Sequence, residues 1–177
     1  GYGEGLIKAG FSADYGLIET MAHYKAAEEF QPGVDFILDI GGQDMKCMRI
    51  KDHAIYNIML NEACSSGCGS FIETYAKSVD MKVEDFAKIG IQSKNPVDLG
   101  TRCTVFMNSS VVSEQRRGKG PGDIMAGLCR SIIENVFTKV IRVSNLNRLG
   151  DKVVVQGGTF RNDAVLRAFE QYLGKPV

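Results

Sequence analysis

Two pairs of adjacent glycines follow short apolar stretches, and the first pair is flanked by residues that suit phosphate chemistry. Gly41 and Gly42 come after Asp39 and before Gln43 and Asp44. Glycine lets the backbone approach a phosphate closely and presents unhindered N–H donors. The two carboxylates could hold Mg²⁺ through water, and the glutamine could orient an attacking water molecule. A tight hairpin with solvated carboxylates is the alternative interpretation of the same residues.

The second pair, Gly157 and Gly158, repeats this arrangement near the end of the chain. The apolar stretch 152–156 leads into it, and a predicted helix follows it. Either pair alone is a weak signal, because adjacent glycines are common in turns. Together the two pairs suggest two edges of one nucleotide-binding cleft.

Five cysteines occur, and two of them stand where a metal-binding thiolate is favoured. Cys64 precedes a small-residue loop that leads into a predicted helix, and a helix N-terminus lowers the pKa of a thiol. Cys103 follows a Gly-Thr-Arg turn. Two thiolates are half the set that a cubane iron–sulfur cluster usually requires, so a two-fold dimer would supply the other half. The alternative is that all five, including Cys47, Cys68 and Cys129, are buried reduced thiols.

The elements that must position these residues follow from the apolar periodicity, which predicts a mixed α/β chain. Strands are predicted over 34–40, 45–50, 54–60, 103–107 and 152–156. Helices are predicted over 14–30, 71–79, 83–89, 109–117, 124–143 and 163–173, with Asp123 as the N-cap of the fifth. Both glycine pairs then fall directly after strands.

Composition narrows the function classes. The chain has 177 residues, enough for one large domain or for one and a half lobes of a larger protein. Lys and Arg number 21, as do Asp and Glu, so the formal net charge is zero and no nucleic acid or acidic membrane is expected as a partner. The apolar runs are too short to span a bilayer and no secretion signal is present, so a cytoplasmic location is expected.

The motifs occur in an order that resembles the BadF/BadG/BcrA/BcrD-type ATPase family, which includes the activators of 2-hydroxyglutaryl-CoA dehydratase. The resemblance extends from residue 1 to about residue 174. It is carried by Gly1-Tyr2-Gly3, Asp39-Ile40-Gly41-Gly42-Gln43-Asp44, Asn61-Glu62-Ala63-Cys64 with Gly67 and Gly69 behind it, Thr101-Arg102-Cys103-Thr104-Val105-Phe106, and Gln156-Gly157-Gly158.

The resemblance implies an actin-like ATPase fold, shared with acetate and sugar kinases, Hsc70 chaperones and actin, in which RNase-H-like lobes surround ATP or ADP with Mg²⁺. It implies a homodimer that shares one [4Fe-4S] cluster. Reduced ferredoxin or flavodoxin would supply the electron, and a 2-hydroxyacyl-CoA dehydratase or a benzoyl-CoA-reductase-type component would receive it. The residues carried over for the second phosphate element are Asp39, Gly41, Gly42, Gln43 and Asp44, with Asp39, Gln43 and Asp44 as the catalytic ones. Those carried over for the adenosine element are Gly157 and Gly158. The cluster ligands are Cys64 and Cys103, and Gly67 and Gly69, which follow Cys64 in the sequence, are expected to bind the cofactor.

Two departures from the family pattern matter. The family's first phosphate loop is an Asp-x-Gly-Ser/Thr stretch near its N-terminus, and the resemblance of this sequence begins after that loop. Residues 1–177 are therefore expected to be the second lobe plus the end of the first, truncated at both ends and inactive alone. Cys68 stands where smaller activators have Thr, which resembles the long multidomain members. An alternative cluster ligand and a buried filler residue are the two interpretations of Cys68, and filler is the expected one. The alternatives are a sugar- or acetate-kinase-like phosphotransferase and a regulatory or structural nucleotide-binding module without ATPase activity.

Overall fold

The computed structural model describes residues 3–61, 68–101, 104–143 and 145–177, and in these ranges two helices precede three consecutive strands, four helices follow, and a last strand leads to the final helix. The strands are β1 (Phe36–Ile40), β2 (Met45–Lys51), β3 (Ala54–Asn61) and β4 (Val153–Gln156). The α-helices are α1 (Glu4–Gly10), α2 (Glu19–Phe30), α3 (Gly69–Ser78), α4 (Val83–Ile91), α5 (Thr104–Arg116), α6 (Pro121–Asn135) and α7 (Asp163–Leu173). A π-helical turn spans Val136–Ile141, and 3₁₀ turns span Leu146–Leu149 and Gly158–Arg161.

The four strands form one mixed sheet in the order β3-β2-β1-β4. β1, β2 and β3 are antiparallel neighbours, whereas β4 runs parallel to β1. A two-residue turn joins β2 to β3, and both of its residues, Asp52 and His53, have positive φ. That geometry matches the right-handed twist of a hairpin, and Asp and His tolerate it better than most residues. The turn is attached to α2, since the Tyr24 hydroxyl donates to the His53 carbonyl at 2.8 Å.

Both faces of the sheet are covered at β1, whose successive residues point to opposite sides and are all buried. Phe36 and Leu38 join the main core, to which α3 to α7 also contribute. Ile37 belongs to a smaller core on the other face, together with Tyr24 and Ala27 of α2. Asp39 continues the alternation of Ile37, so its side chain is directed toward the α2 side of the sheet.

Glycines allow the helices behind the sheet to pack closely. A Cβ on Gly90 of α4 would lie 2.5 Å from Met125 Cγ of α6. A Cβ on Gly127 of α6 would lie 2.3 Å from the Val97 carbonyl oxygen. Distances below 3 Å are incompatible with a side chain unless the neighbour moves, so these positions require glycine for the observed packing.

The sequence-based prediction of a strand over 103–107 is wrong in the described part of that range. Residues 104–107 belong to α5, a helix through Arg116. The β-branched Thr104 and Val105 favour a strand locally. Met107 and Val111 lie four residues apart, however, and both are fully buried, so packing of one helical face outweighs local propensity.

Three other predicted boundaries also shift. The helix predicted over 14–30 begins at Glu19. The long helix predicted over 124–143 begins at Pro121, with Gly120 as its N-cap, and changes to π geometry after Asn135. Asp123 is therefore not the N-cap; its carboxylate accepts a hydrogen bond from the Ser93 hydroxyl at 2.6 Å. Within the ranges that the structure describes, no helix is both long and apolar enough to cross a membrane.

Candidate functional site

The two glycine pairs meet at one edge of the sheet. Since β1 and β4 are parallel neighbours, their carboxyl ends lie side by side, and Asp39 is in register with Gln156. Gly41 directly follows the last residue of β1, and Gly157 directly follows the last residue of β4. The two motifs lie far apart in the sequence, and the parallel strand pair brings them together.

The first pair is part of a hairpin turn between β1 and β2. The Gly41 N–H donates to the Asp44 carbonyl at 2.9 Å, which closes the turn. The Asp44 side chain folds back toward the turn, so that its Oδ1 would lie 2.8 Å from a Cβ on Gly41. Gln43 is exposed. The hairpin alternative for this motif therefore describes its local backbone correctly.

The first turn of α3 holds this hairpin in place. The N–H groups of Gly69 and Ser70 donate to the carbonyls of Gly41 and Gly42 at 3.1 and 3.0 Å. The Thr159 hydroxyl donates to the same Gly41 carbonyl at 2.8 Å. Because the Gly69 N–H is bound to a protein carbonyl, Gly69 contributes close packing: a Cβ there would lie 2.8 Å from Thr159 Oγ1.

The two glycines of the second pair differ in their surroundings: one is tightly packed and the other has open space beside it. Gly157 has a φ of +95°, and a Cβ there would lie 2.3 Å from the Ile40 carbonyl oxygen. A Cβ on Gly158 or on Gly42 would meet no described atom within 4 Å. Gly157 thus lets the two turns approach, whereas Gly42 and Gly158 leave open backbone surface.

That open surface borders a cavity of about 470 Å³, which is within the range of small-molecule binding sites. The two turns form one wall, and α3 and α4 form the other. The wall residues include apolar side chains, namely Ile72, Val83 and Ala87, and charged ones, namely Glu73, Glu84, Lys88, Arg161 and Asp163. An apolar surface with charged groups at its margin suits a ligand that has a flat ring and a polar tail.

Asp39 is a buried carboxylate with two nitrogen partners on one oxygen. Its Oδ2 accepts a hydrogen bond from Gln156 Nε2 at 2.9 Å. His23 Nδ1 lies 2.5 Å from the same oxygen, in a short polar contact without the alignment of a regular hydrogen bond. Asp39 Oδ1 faces Gly157 and would lie 2.7 Å from a Cβ there. His23 is not among the site residues predicted from the sequence; its spacing of four residues from Glu19, on the same face of α2, is the signal that could have identified it.

Lys46 stands opposite Asp39 in the β1–β2 register and is also buried. Its Nζ contacts Glu19 Oε1 of α2 and lies 3.3 Å from Asp44 Oδ2. The hydrogen bond from Lys46 is the largest of the causes that together lower the pKa of Glu19 to about 2. Burial opposes the charge on Lys46, but its contacts with Glu19 and Asp44 outweigh burial and raise its pKa. The site thus holds a fixed cation between two carboxylates.

The residues predicted to bind the cluster, Cys64 and Cys103, lie outside the described residues, as does Gly67. Among the residues that the structure does describe, no group of three or more His, Cys, Asp or Glu side chains is placed to hold a metal ion. Burial raises the pKa of Cys47 and of Cys129 to about 12, which disfavours the metal-binding thiolate. Cys68 is buried in the main core at the N-cap of α3, as a filler residue would be.

Solved structures and curated proteins resemble this chain over nearly all its length. The (R)-2-hydroxyglutaryl-CoA dehydratase activating ATPase of Acidaminococcus fermentans is 33% identical over 177 residues, 100% of this chain and 66% of the relative. The crystal structure of that dehydratase's component A matches with a TM-score of 0.85, covering 99% of this chain and 65% of the other.

The 2-hydroxyisocaproyl-CoA dehydratase activator of Clostridioides difficile is 30% identical over 166 residues, 93% of this chain and 61% of the relative. The structure of that activator with bound ADPNP matches with a TM-score of 0.81 at 29% identity, covering 93% of this chain and 60% of the other. The chain spans less than two thirds of the length of each of these relatives. The structural matches confirm the predicted actin-like ATPase fold. The BadF/BadG/BcrA/BcrD ATPase family matches residues 1–177, and the chain belongs to this family.

Proposed function

We propose that residues 1–177 form the second lobe and the end of the first lobe of an ATP-dependent one-electron donor. This donor would activate a 2-hydroxyacyl-CoA dehydratase or a benzoyl-CoA-reductase-type enzyme. The observation that carries the proposal is the meeting of two Gly-Gly turns at one sheet edge beside a nucleotide-sized cavity, in a chain of this ATPase family. Relatives named as activators of three different dehydratases support the choice of partner.

The geometry suggests how a nucleotide lies in the site. Its phosphates approach the backbone at Gly42 and Gly158, where the surface is open. Its base and ribose occupy the cavity between these turns and α4, with Lys88 and Arg161 at the margin. Cationic side chains there favour the anionic tail and the face of the base. The 470 Å³ of the cavity suits this occupant.

The carboxyl edge of β1 and β4, where the two glycine pairs meet, is called the phosphate edge here. Mg²⁺ fits the carboxylates of the phosphate edge, since this ion prefers oxygen ligands and keeps several waters. In the proposal, Asp39 and Asp44 hold the ion through water. Asp39 presents Oδ1, because Oδ2 is bound to Gln156 and in contact with His23. Gln43 is exposed and orients the attacking water molecule.

The [4Fe-4S] cluster belongs to the proposal as well. Cys64 and Cys103 of each subunit of a homodimer would hold it, and the cluster would supply low-potential one-electron transfer. The choice of Cys64 and Cys103 comes from the family resemblance, and the burial of the Cys47 and Cys129 thiols, which disfavours the thiolate, is consistent with it. Reduced ferredoxin or flavodoxin would supply the electron. Since an all-thiolate cluster persists in a reducing compartment, the proposal places the protein in the cytoplasm.

The test uses the full-length protein, purified and assayed without oxygen. Cys64→Ala and Cys103→Ala are each expected to lose bound iron and sulfide, while Cys129→Ala keeps them. ATP turnover should require no small acceptor molecule and should drive electron transfer to the dehydratase. Full iron retention in Cys64→Ala would overturn the cluster assignment. ATP turnover that requires a sugar or acetate and no iron would favour the phosphotransferase alternative.

A further inference from the structure

Helix α2 makes two polar contacts with the phosphate edge from the face of the sheet opposite the cavity helices. Glu19 and His23 are four residues apart and lie on one side of the helix. Glu19 contacts Lys46 of β2, and His23 contacts Asp39 of β1. Lys46 and Asp39 are directly paired across the two strands. One helical turn of α2 therefore touches both members of a single cross-strand pair.

We propose that His23 is a positioning residue for Asp39, and that it sets which carboxylate oxygen faces the metal and phosphate site. This inference rests on the proposed nucleotide site. His23 approaches Oδ2 from α2, and Gln156 donates to the same atom from β4. Both partners are nitrogens on Oδ2, whereas Oδ1 is the carboxylate oxygen nearest to Gly157.

Burial is the reason that such positioning is needed. The Asp39 side chain is 9% exposed, so water cannot solvate both of its oxygens freely. A carboxylate in this setting turns toward whatever donors are present. One hydrogen bond, from Gln156, and one short polar contact, with His23, engage Oδ2 and leave Oδ1 directed at the Gly157 turn. Without His23, the hydrogen bond from Gln156 would remain among the described contacts, and the carboxylate would rotate or recruit water at the position that His23 now fills.

The Glu19–Lys46 contact makes the arrangement rigid. The Lys46 ammonium is buried, and its charge-assisted contact with Glu19 fixes the rotation of α2 about its own axis. Tyr24 and Ala27 pack into the core beneath the same helix. The His23 ring is thereby held over Asp39, with Nδ1 as the nitrogen nearest to the carboxylate.

Because Nδ1 is the His23 nitrogen at the contact, substitutions that keep or lose a nitrogen at that position test the role of the contact. An Asn amide nitrogen can take the place of imidazole Nδ1, a Gln amide corresponds instead to the far ring nitrogen, and Leu offers no donor. In the full-length protein, His23→Leu is expected to lower kcat for ATP hydrolysis by about tenfold or more, or to raise the Mg²⁺ concentration required by that factor. Losses of this size are typical when a residue that orients a metal ligand is removed. His23→Asn should restore most of the loss, and His23→Gln should not.

Measuring nucleotide affinity without Mg²⁺ distinguishes loss of a positioning residue from general damage to the nucleotide-binding site. ADP binding in the presence of EDTA depends on the cavity and should stay within about twofold of wild type in all three variants. Glu28→Gln is the matched control. It weakens the other histidine–carboxylate contact of α2, the 2.9 Å contact with His53, while keeping the side-chain shape. Its kcat and Mg²⁺ requirement should match wild type.

The outcomes distinguish this inference from the proposed function. If Asp39→Asn abolishes ATP turnover while His23→Leu behaves as wild type, the positioning role is wrong and the nucleotide site stands. Equal loss in His23→Asn and His23→Gln, with both variants folded, also overturns the role, and this comparison remains informative if His23→Leu does not fold. If Asp39→Asn itself turns over ATP at the wild-type rate, the site assignment fails and the inference fails with it.

Discussion

Gln156 Nε2 donates a 2.9 Å hydrogen bond to Asp39 Oδ2, joining the ends of the two parallel strands that carry the glycine pairs. The two residues are also partners in the β1–β4 register. The polar site therefore lies at the last residue pair of the β1–β4 register. In α/β proteins the carboxyl edge of parallel strands is the usual place for ligands, because several loops converge there. The site follows that rule, with β1 and β4 as the one parallel pair among the described strands.

Gly157→Ala should destabilise the fold strongly. The residue combines a φ of +95° with a Cβ position 2.3 Å from the Ile40 carbonyl oxygen, so both conformation and space exclude a side chain. We expect a loss of more than about 2 kcal/mol in the free energy of unfolding, measured by urea denaturation. Gly118→Ala is the control, because it has a φ of +82° in open space and should lose only about 1 kcal/mol. Equal losses would show that the contact with Ile40 is unimportant.

Gly158→Ala should leave stability unchanged and weaken nucleotide binding. A Cβ there meets no described atom within 4 Å, so the fold accommodates it. The added methyl group stands where the backbone would approach the phosphates. We expect about tenfold weaker ADP binding by calorimetry, equivalent to about 1.4 kcal/mol. Gly5→Ala on the exposed face of α1 is the control, since a Cβ there also meets no described atom within 4 Å. Wild-type ADP affinity in Gly158→Ala would contradict the proposal that the phosphates lie against this turn.

Local sequence predicted that the glycine pairs and Asp39 lie at turns after strands, because adjacent glycines after a strand mark a turn whose backbone stays open to close approach. The structure places both turns at the ends of β1 and β4, and the role of these residues in a site stays a prediction. Local sequence also predicted α7 as Asp163–Leu173, the observed bounds. It could not identify His23, whose contact with Asp39 depends on how α2 crosses the sheet. The error at Met107 has the same physical origin, since burial of a helical face is a tertiary effect that outweighs the β propensity of the preceding residues.

The Glu19–Lys46 contact should contribute stability that depends on pH. The folded-state pKa of Glu19 is about 2, below its ordinary value of 4.5. A lowered carboxyl pKa stabilises the fold above the unfolded-state pKa and loses that effect as the pH falls from about 4.5 toward 2. Glu19→Gln should therefore be less stable than wild type at pH 7, by no more than about 1 kcal/mol because Glu19 is 36% exposed. Urea denaturation at pH 7 and pH 3 measures the difference, which should shrink at the lower pH. A constant difference would assign the effect to packing.

Cys47 and Cys129 should resist alkylation as long as the protein is folded. Burial raises both thiol pKa values to about 12, so at pH 8 about one molecule in ten thousand carries the reactive thiolate at either position. Both side chains are also fully buried, which excludes the reagent. Mass spectrometry after iodoacetamide treatment at pH 8 should find both residues unmodified, and treatment in urea should modify both. Rapid native-state labelling of Cys129 would show that the α6 face opens to solvent, in which case burial no longer argues against thiolate ligation there.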